Sequence, residues 1–426
     1  MSVITLHSVT LDPTLCMGCT NCVKHCPTEA IRVRNKIAKI IKERCIDCGE
    51  CIRQCPYHAK RAVVDPLTIL KNYEYTIALP APTLYAQFQK VRDRNYILTA
   101  LKRIGFDDVF EVSAAAEAIS NATKDELRHG NLPRPLINTA CPTVVRIVRT
   151  RFPSLIPNLL PYKSPMELAA RWAKQNAAKK TGLPMEKIGC IFISPCPAKA
   201  TSTKTPLGFD HSYVDAVVSI AEVYPKLRTA IKMVKAPEQL AHSGPIGMNW
   251  AVSGGECRGA DSMEHLAADG MENVIHILEA VEDEKFSSVD FIELNACVGG
   301  CVGGVLAVEN PYIAKARLDK MVRQSRQEPA PEGLPEHEIH WDDKVEFAPI
   351  FQLDNDISAA MQKMALVAEI EKKFPGMDCG ACGAPSCHAL AEDIAGGFAT
   401  EDLCIFLIRE KLQRLLAEKE EENDSK

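Results

Sequence analysis

Sixteen of the eighteen cysteines in this chain fall into four groups of four. The first is Cys16, Cys19, Cys22 and Cys26, and the second is Cys45, Cys48, Cys51 and Cys55. The third is scattered along the chain as Cys141, Cys196, Cys297 and Cys301, and the fourth is Cys379, Cys382, Cys387 and Cys404. Four thiolates are the ligand set of one iron–sulfur cube, and equally of one structural zinc ion. Cubes exchange single electrons, so four such groups make, most simply, a wire that ends at a reaction centre. The spacing is that of metal sites rather than of a disulfide scaffold, and thiolate ligands call for a reducing cell interior.

The two N-terminal groups are copies of one run, Cys-x2-Cys-x2-Cys-x3-Cys-Pro, closed by Cys26-Pro27 and Cys55-Pro56. Over about residues 8–62 the chain resembles bacterial two-cluster ferredoxins, in which the fourth cysteine of each run serves the other cluster. The resemblance implies one 4Fe–4S cluster on Cys16, Cys19, Cys22 and Cys55, and a second on Cys45, Cys48, Cys51 and Cys26. Two zinc knuckles are the alternative reading. His25 and His58, beside the ligands, read as solvated surface. The C-terminal spacing is Cys379-x2-Cys382-x4-Cys387-x16-Cys404. It resembles the small iron–sulfur domain of electron-transfer and corrinoid proteins. A helix over 389–401 would carry Cys404 back to the other three. Zinc stays open here too, while single-electron traffic elsewhere in the chain favours a third relay cluster.

Between these groups the texture changes after Asp65-Pro66. Short apolar runs at 107–113, 136–140, 188–194 and 291–296 predict strands. Amphipathic patterns at 95–104, 165–180 and 221–233 predict helices between them, which indicates an α/β domain with parallel pairing. Residues 327–346 turn polar, with Pro329, Pro331 and Pro335 among acids, and read as a linker or surface wrap. Helices are expected at 357–373 and 401–418, the latter running into a solvated acidic tail.

Three of the scattered cysteines, Cys141, Cys196 and Cys297, follow strand ends, where ligands gather in open α/β sheets. Cys301 lies four residues beyond Cys297 in the loop Cys297-Val-Gly-Gly-Cys301-Val-Gly-Gly304, whose glycines allow close backbone approach to a bulky inorganic group. Cys190, inside an apolar strand, reads as a packed core thiol.

Residues 75–320 resemble the iron-only (FeFe) hydrogenases. Thr139-Ala140-Cys141-Pro142 is similar to the first family signature, one cysteine short. Ser194-Pro195-Cys196-Pro197-Ala198-Lys199-Ala200 is similar to the second, with serine for methionine. Glu293 through Gly304 is similar to the third and most specific, with Asn295 for methionine. Ala81-Pro82-Thr83 resembles a segment lining the same pocket. The resemblance implies an H-cluster: a 4Fe–4S cube joined by one cysteine to a two-iron subsite with CO, cyanide and an azadithiolate bridge. Cys141, Cys196 and Cys297 would hold the cube, Cys301 would bridge to the two-iron unit, and Lys199 would donate to a cyanide. Three more 4Fe–4S clusters complete the set.

The departures also carry information. Ala140 replaces the proton-relay cysteine and cannot transfer a proton. Ser194 and Asn295 are expected to make the pocket more polar. Another proton route would need nearby titratable groups, and Glu293 and the turn Ser253-Gly-Gly-Glu-Cys-Arg258, with Glu256 and Cys257, supply candidates.

The expected class is therefore α/β multidomain. It comprises a two-cluster ferredoxin-like domain (1–65), a hydrogenase-like H-cluster domain (66–326), a linker or wrap (327–356) and a small helical iron–sulfur domain (357–426). This layout resembles the sensory branch of FeFe-hydrogenases, in its subgroup without a PAS domain. It implies slow interconversion of H2 with protons and electrons as a hydrogen or redox sensor, with a redox partner such as a ferredoxin and a signalling partner. The alternative is an electron-transfer or iron–sulfur assembly protein with no two-iron subsite. A dehydrogenase-linked bulk hydrogenase would be expected to keep the relay cysteine. The chain has 426 residues, is 46% hydrophobic and 25% charged, and carries a net charge of −5, so no basic footprint points to nucleic acid. No run approaches the ~18 apolar residues of a membrane span, and the N-terminus lacks a signal-peptide pattern, so a cytoplasmic protein is expected. Oligomeric state is left open, a homodimer included.

Overall fold

A computed structural model describes residues 7–262, 264–325, 338–354 and 356–424. Residues 327–337 and 355 of the expected linker lie outside the described residues. The chain divides into two compact units. One comprises Thr10–Cys45, Glu50–Arg61 and Pro349–Lys426; the other comprises Met1–Val9, Ile46–Gly49 and Ala62–Ala348.

The smaller unit joins the two ends of the sequence. Strand β1 (Val9–Leu11) starts the ferredoxin-like segment, and β2 (Ile31–Arg34) and β3 (Ile37–Ile40) form an antiparallel hairpin with Ile31 opposite Ile40. β4 (Lys60–Ala62) returns beside β1. The one-turn helices Asn21–Lys24 and Glu50–Arg53 each present the third cysteine of a run, Cys22 and Cys51. In the C-terminal segment the helices Ile357–Glu371 and Cys387–Ala395 pack around Val367, Ile370, Phe374, Ala389 and Leu390. The hairpin docks on this segment. The Val33 amide donates to the Gly383 carbonyl (2.8 Å), and Arg34 donates to the Cys382 carbonyl (3.0 Å). A Cβ on Gly383, which has φ +81°, would stand 1.9 Å from the Val33 oxygen, so only glycine allows this approach. Arg32 and Arg34 both close on the Asp393 carboxylate, at 2.8 and 2.6 Å.

The helix expected at 389–401 is shorter, Cys387–Ala395. The Ser386 hydroxyl caps its start by accepting from the Ala389 amide, and Gly397 at φ +75° ends the turn that follows it. A 3-10 turn, Glu401–Leu403, intervenes, and the last helix is Ile405–Asp424.

The larger unit holds two parallel sheets. Its strands are β5 (Tyr75–Pro80), β6 (Asp108–Val109), β7 (Leu136–Ile137), β8 (Ile188–Ser194), β9 (Ala216–Ser219), β10 (His265–Asp269) and β11 (Phe291–Asn295). One sheet runs in the order β6-β5-β8-β9 and the other β10-β11-β7. Every residue of β8 is buried, as a parallel strand covered on both faces requires. Its side chains divide by parity. Ile191 and Ile193 join a core with Leu98, Leu101, Val223 and Leu227, while Cys190 and Phe192 face Ala115, Ile119, Ala169 and Ala173. Helices Asn95–Arg103 and Ile220–Met233 thus cover one face, and Val112–His129 and Pro165–Thr181 the other.

Two expected strands are shorter than their apolar runs. The run at 107–113 pairs only at Asp108–Val109, because helix Val112–His129 starts inside it. Just before that helix, the Glu111 carboxylate accepts from Tyr85, Arg94 and the His242 and Ser243 amides. The run at 136–140 pairs only at Leu136–Ile137. Beyond it the Asn138 side chain takes over the ladder, accepting from the Leu294 amide, and Thr139 donates to the Leu160 carbonyl. Residues 338–348 of the proposed wrap lie along this unit. Lys163 donates through its amide to Ile339, the Trp341 amide donates to Pro161, and Glu338 pairs with Arg171 at 2.7 Å.

Asp393→Ala would leave Arg32 and Arg34 side by side without their shared carboxylate. A loss of roughly 3 kcal/mol is expected for breaking such a pair. It should appear as a lower unfolding midpoint and faster loss of metal from the C-terminal cysteines to a chelator; an unchanged midpoint would make the clamp incidental.

Candidate metal centre

Three of the four scattered cysteines, Cys141, Cys196 and Cys301, meet at the C-terminal ends of strands from both sheets. β5 leads into Ala81, Pro82 and Thr83; β7 into Ala140 and Cys141; β8 into Cys196 and Lys199; β11 ends at Asn295 and leads to Cys301. These residues, with Met166, Trp250 and Glu256 among others, line one cavity of about 670 Å³. Cys141 stands just before helix Pro142–Arg151. Cys196 is fixed by Ser194, whose hydroxyl accepts from its amide (3.1 Å) and donates to its carbonyl (2.9 Å). Cys297 does not line the cavity, but its carbonyl accepts from the Gly300 amide in the loop that carries Cys301.

The glycines of that loop prove to serve the protein's own packing. A Cβ on Gly300, at φ +91°, would lie 2.5 Å from the Ser253 amide nitrogen, and one on Gly304 would lie 2.3 Å from the Pro195 oxygen. The loop is therefore wedged between the Cys196 loop and the turn that presents Glu256.

Burial drives the electrostatics. The Cys301 thiol is pushed up to about 12, first by desolvation and then by the nearby Cys196 and Cys141. Desolvation also raises Cys196. Lys199 is the one cation among the lining residues, and its ammonium donates to the Ala140 carbonyl at 2.8 Å. Thr83 is fully buried, and its hydroxyl oxygen has no partner among the described residues.

The candidate proton groups separate cleanly. Glu256 lines the cavity and accepts from the Asn138 side chain at 2.8 Å. Burial, and then the neighbouring Glu293, raise its carboxyl above the ordinary carboxylate range. Glu293 and Cys257 do not line the cavity. Glu293 accepts from the Gly254 and Cys257 amides (3.0 and 2.9 Å) and from Asn295 (2.8 Å), and so fixes the turn beneath Glu256. The Cys257 thiol points to the Leu266 carbonyl, and burial raises it. Ser194 is buried behind Cys196, off the cavity, so the expected gain in pocket polarity does not come from it. Cys190 is a core thiol that donates to the Ala170 carbonyl.

The ferredoxin-like loops enclose a cavity of about 330 Å³ lined by Cys16, Cys19, Cys22 and Cys55, with Lys60 beside them. Sulfur accepts from backbone in both runs: Cys26 from Ala30 (3.2 Å) and Cys55 from Ala59 (3.3 Å). Cys45, Cys51 and Cys26 belong to the smaller unit, and Cys48 is grouped with the larger. In the C-terminal segment Cys404 is buried, Cys382 and Cys387 pack around the same core, and the Asp378 carboxylate accepts from the Cys387 amide (2.6 Å).

Sequence reasoning missed Asn138 and Asp47. Asp47 sits between two ligand cysteines and is 1% exposed. It accepts from the Ser8 amide, the Thr201 hydroxyl and Arg146, each at 2.7 Å. An acid inside a cysteine run is a faint signal. The polar Asn138 interrupting an apolar run was a clearer one.

The family model for the iron only hydrogenase large subunit, C-terminal domain, matches residues 74–258 and 255–305. A 4Fe-4S dicluster domain matches 8–56, and an Fe-S cluster model matches 374–406. Iron hydrogenase 1 of Clostridium pasteurianum is 23% identical over 385 residues, covering 74% of this chain and 67% of that protein. The cytosolic Fe-S cluster assembly factor nar1 of Emericella nidulans is 32% identical over 97 residues, 22% of this chain and 16% of its own. A solved structure of an apo variant of the FeFe-hydrogenase HydA1 from Chlamydomonas reinhardtii shares the fold. It aligns with a TM-score of 0.50 and 15% identity, covering 65% of this chain and 95% of that one.

The lining of the 330 Å³ cavity makes a spectroscopic prediction. Cys55→Ser should alter the same electron paramagnetic resonance signal as Cys19→Ser in the reduced protein. A Cys55 variant that instead follows Cys48→Ser would refute the exchange of fourth ligands.

Proposed function

This chain belongs to the iron-only hydrogenase family, and on that premise we propose that it is an H-cluster oxidoreductase that interconverts H2 with protons and electrons, slowly, as a hydrogen or redox sensor. The observation that carries the reading is the cavity of about 670 Å³ at the strand ends, with three of the four cysteines, Lys199 and the unanswered Thr83 hydroxyl on its wall. Such residues fit the H-cluster. A bare cube would leave the buried Thr83 hydroxyl with nothing to bind among the described residues.

Cys141, Cys196 and Cys297 would hold the cube and Cys301 would bridge to the two-iron subsite. When bound, that group supplies the open iron and the basic bridge at which H2 is split. The chain's own residues do the rest. Lys199 offers its charge to an anionic ligand beside the Ala140 carbonyl it already meets. Ser194 holds the Cys196 backbone still. Asn295 is tied to Glu293 and presents its remaining surface to the cavity. The ferredoxin-like and C-terminal cysteines would hold clusters able to pass electrons to a redox partner such as a ferredoxin, and the sensory output would pass to a signalling partner. Ala140 closes the usual proton exit.

Glu256 is the one carboxyl on the cavity wall, so it is the proton-transfer group of this reading. Its raised value keeps it protonated at neutral pH. It can therefore give a proton to the cavity and be reloaded, and it loses that capacity as pH climbs through its folded value. Cys257 and Glu293 are positioning residues on this account.

The second reading is an electron-transfer or iron–sulfur assembly protein, favoured by the match to nar1. Infrared spectroscopy separates the two. Protein matured with the hydrogenase assembly machinery should show bands of metal-bound CO and cyanide, and their absence after competent maturation would sink the hydrogenase reading. In protein that shows those bands, Glu256→Gln should lower H2 evolution about a hundredfold with the bands intact. Unchanged turnover would remove Glu256 from the proton route.

A further inference from the structure

The last helix, Ile405–Asp424, is poorly supported. From Ile408 to Glu421 every residue is exposed. An isolated helix of this length is marginal in water unless an apolar face is covered. Such a face exists. Ile405, Ile408, Leu412 and Leu415 follow one another at spacings of three, four and three, the a and d rhythm of a coiled coil, with Leu416 alongside. Each is about half exposed, between 46% and 55%. Ordinary surface helices do not carry five large aliphatic residues on one uncovered stripe.

The charges flanking the stripe say what covers it. The first part of the exposed stretch holds Arg409, Lys411 and Arg414 with Glu410; the later part holds Glu418, Glu420 and Glu421 with Lys419. A parallel pair of these helices would continue the apolar seam into Lys419 on Lys419. An antiparallel pair brings Leu412 onto Leu415 of the second copy, and Lys411 opposite its Glu418, twice over by the twofold symmetry. The Leu412–Leu415 segment of the stripe is therefore complementary to itself in one orientation.

We propose that two copies of this chain pair through helix Ile405–Asp424, antiparallel, with Leu412 and Leu415 at the centre and Lys411–Glu418 ion pairs on the flank. The proposal is independent of whether the central cavity takes a two-iron subsite.

The test uses the full chain with its clusters in place, by sedimentation equilibrium and light scattering. The wild type should have about twice the 46.8 kDa mass of one chain. Leu412→Glu with Leu415→Glu should be monomeric while keeping the iron content and visible spectrum of the wild type. Lys411→Glu alone and Glu418→Lys alone should each raise the dimer dissociation constant about fivefold, and the double exchange should restore it. A monomeric wild type would overturn the proposal. So would a dimer that survives both glutamates, since it would use another surface. A double exchange no better than either single change would overturn the antiparallel register.

Discussion

A thiolate withdrawn from water is stable only where a metal or another cation shares its charge, and this constraint organises the whole chain. Burial pushes Cys22 up to about 11, and Cys51 and Cys301 to about 12. In the central cavity a single ammonium faces three thiols and a carboxyl, too little positive charge to hold them ionised. Metal binding and folding are then one process at these sites, because the ligand set is costly without the ion and useless without the fold. The two parallel sheets serve this end. Strand ends are where backbone groups run out of ladder partners, so loops there can turn their donors toward a group that is not protein.

Positioning depends on a second buried charge. Asp47 lies in the left-handed region at φ 57° and is held by Ser8, Thr201 and Arg146. Thr201 belongs to the helix that follows Cys196, and Arg146 to the helix that follows Cys141. One carboxylate thus ties the Cys48 loop to two of the loops around the central cavity. The residue before it, Ile46, is buried with Val144, Val145 and Ile292, and Cys48 and Cys141 pack against that same core. Apolar contact sets the distance between these loops and the ion pair sets their orientation.

Cysteine spacing made the ligand sets legible, since each loop's reach is nearly a local property. Strand β8 was legible for a similar reason: seven consecutive apolar or small residues admit little else. β10 was not, because its His-Leu-Ala-Ala-Asp sequence has weak strand preference and pairs only because β11 offers a register from His265 to Asp269. The joining of the two chain ends into one unit was also invisible. It rests on Arg32, Arg34 and Asp393, about 360 residues apart, and nothing in either segment alone marks the partner. At the site, sequence named Glu256, Cys257 and Glu293 as candidates. Only the fold separates them, by sending the Glu256 side chain into the cavity, the Glu293 carboxylate to the turn and the Cys257 thiol to the Leu266 carbonyl of β10.

That separation bears on why a chain with alanine at position 140 keeps the rest of the pocket. Ser194 and Asn295 each commit a polar group to the scaffold, Ser194 to the Cys196 backbone and Asn295 to Glu293. Their replacement of soft sulfur side chains therefore stiffens the frame more than it wets the cavity. The cavity keeps one carboxyl among its described lining residues, itself restrained by Asn138, whose carbonyl oxygen is held by the Leu294 amide. A proton leaving by that route must exchange at a carboxyl that burial keeps neutral, with Glu293 opposing a second charge. On the proposed reading such a path would be slow, and slowness that defeats bulk turnover would not defeat a detector, which needs only that its site equilibrate with hydrogen.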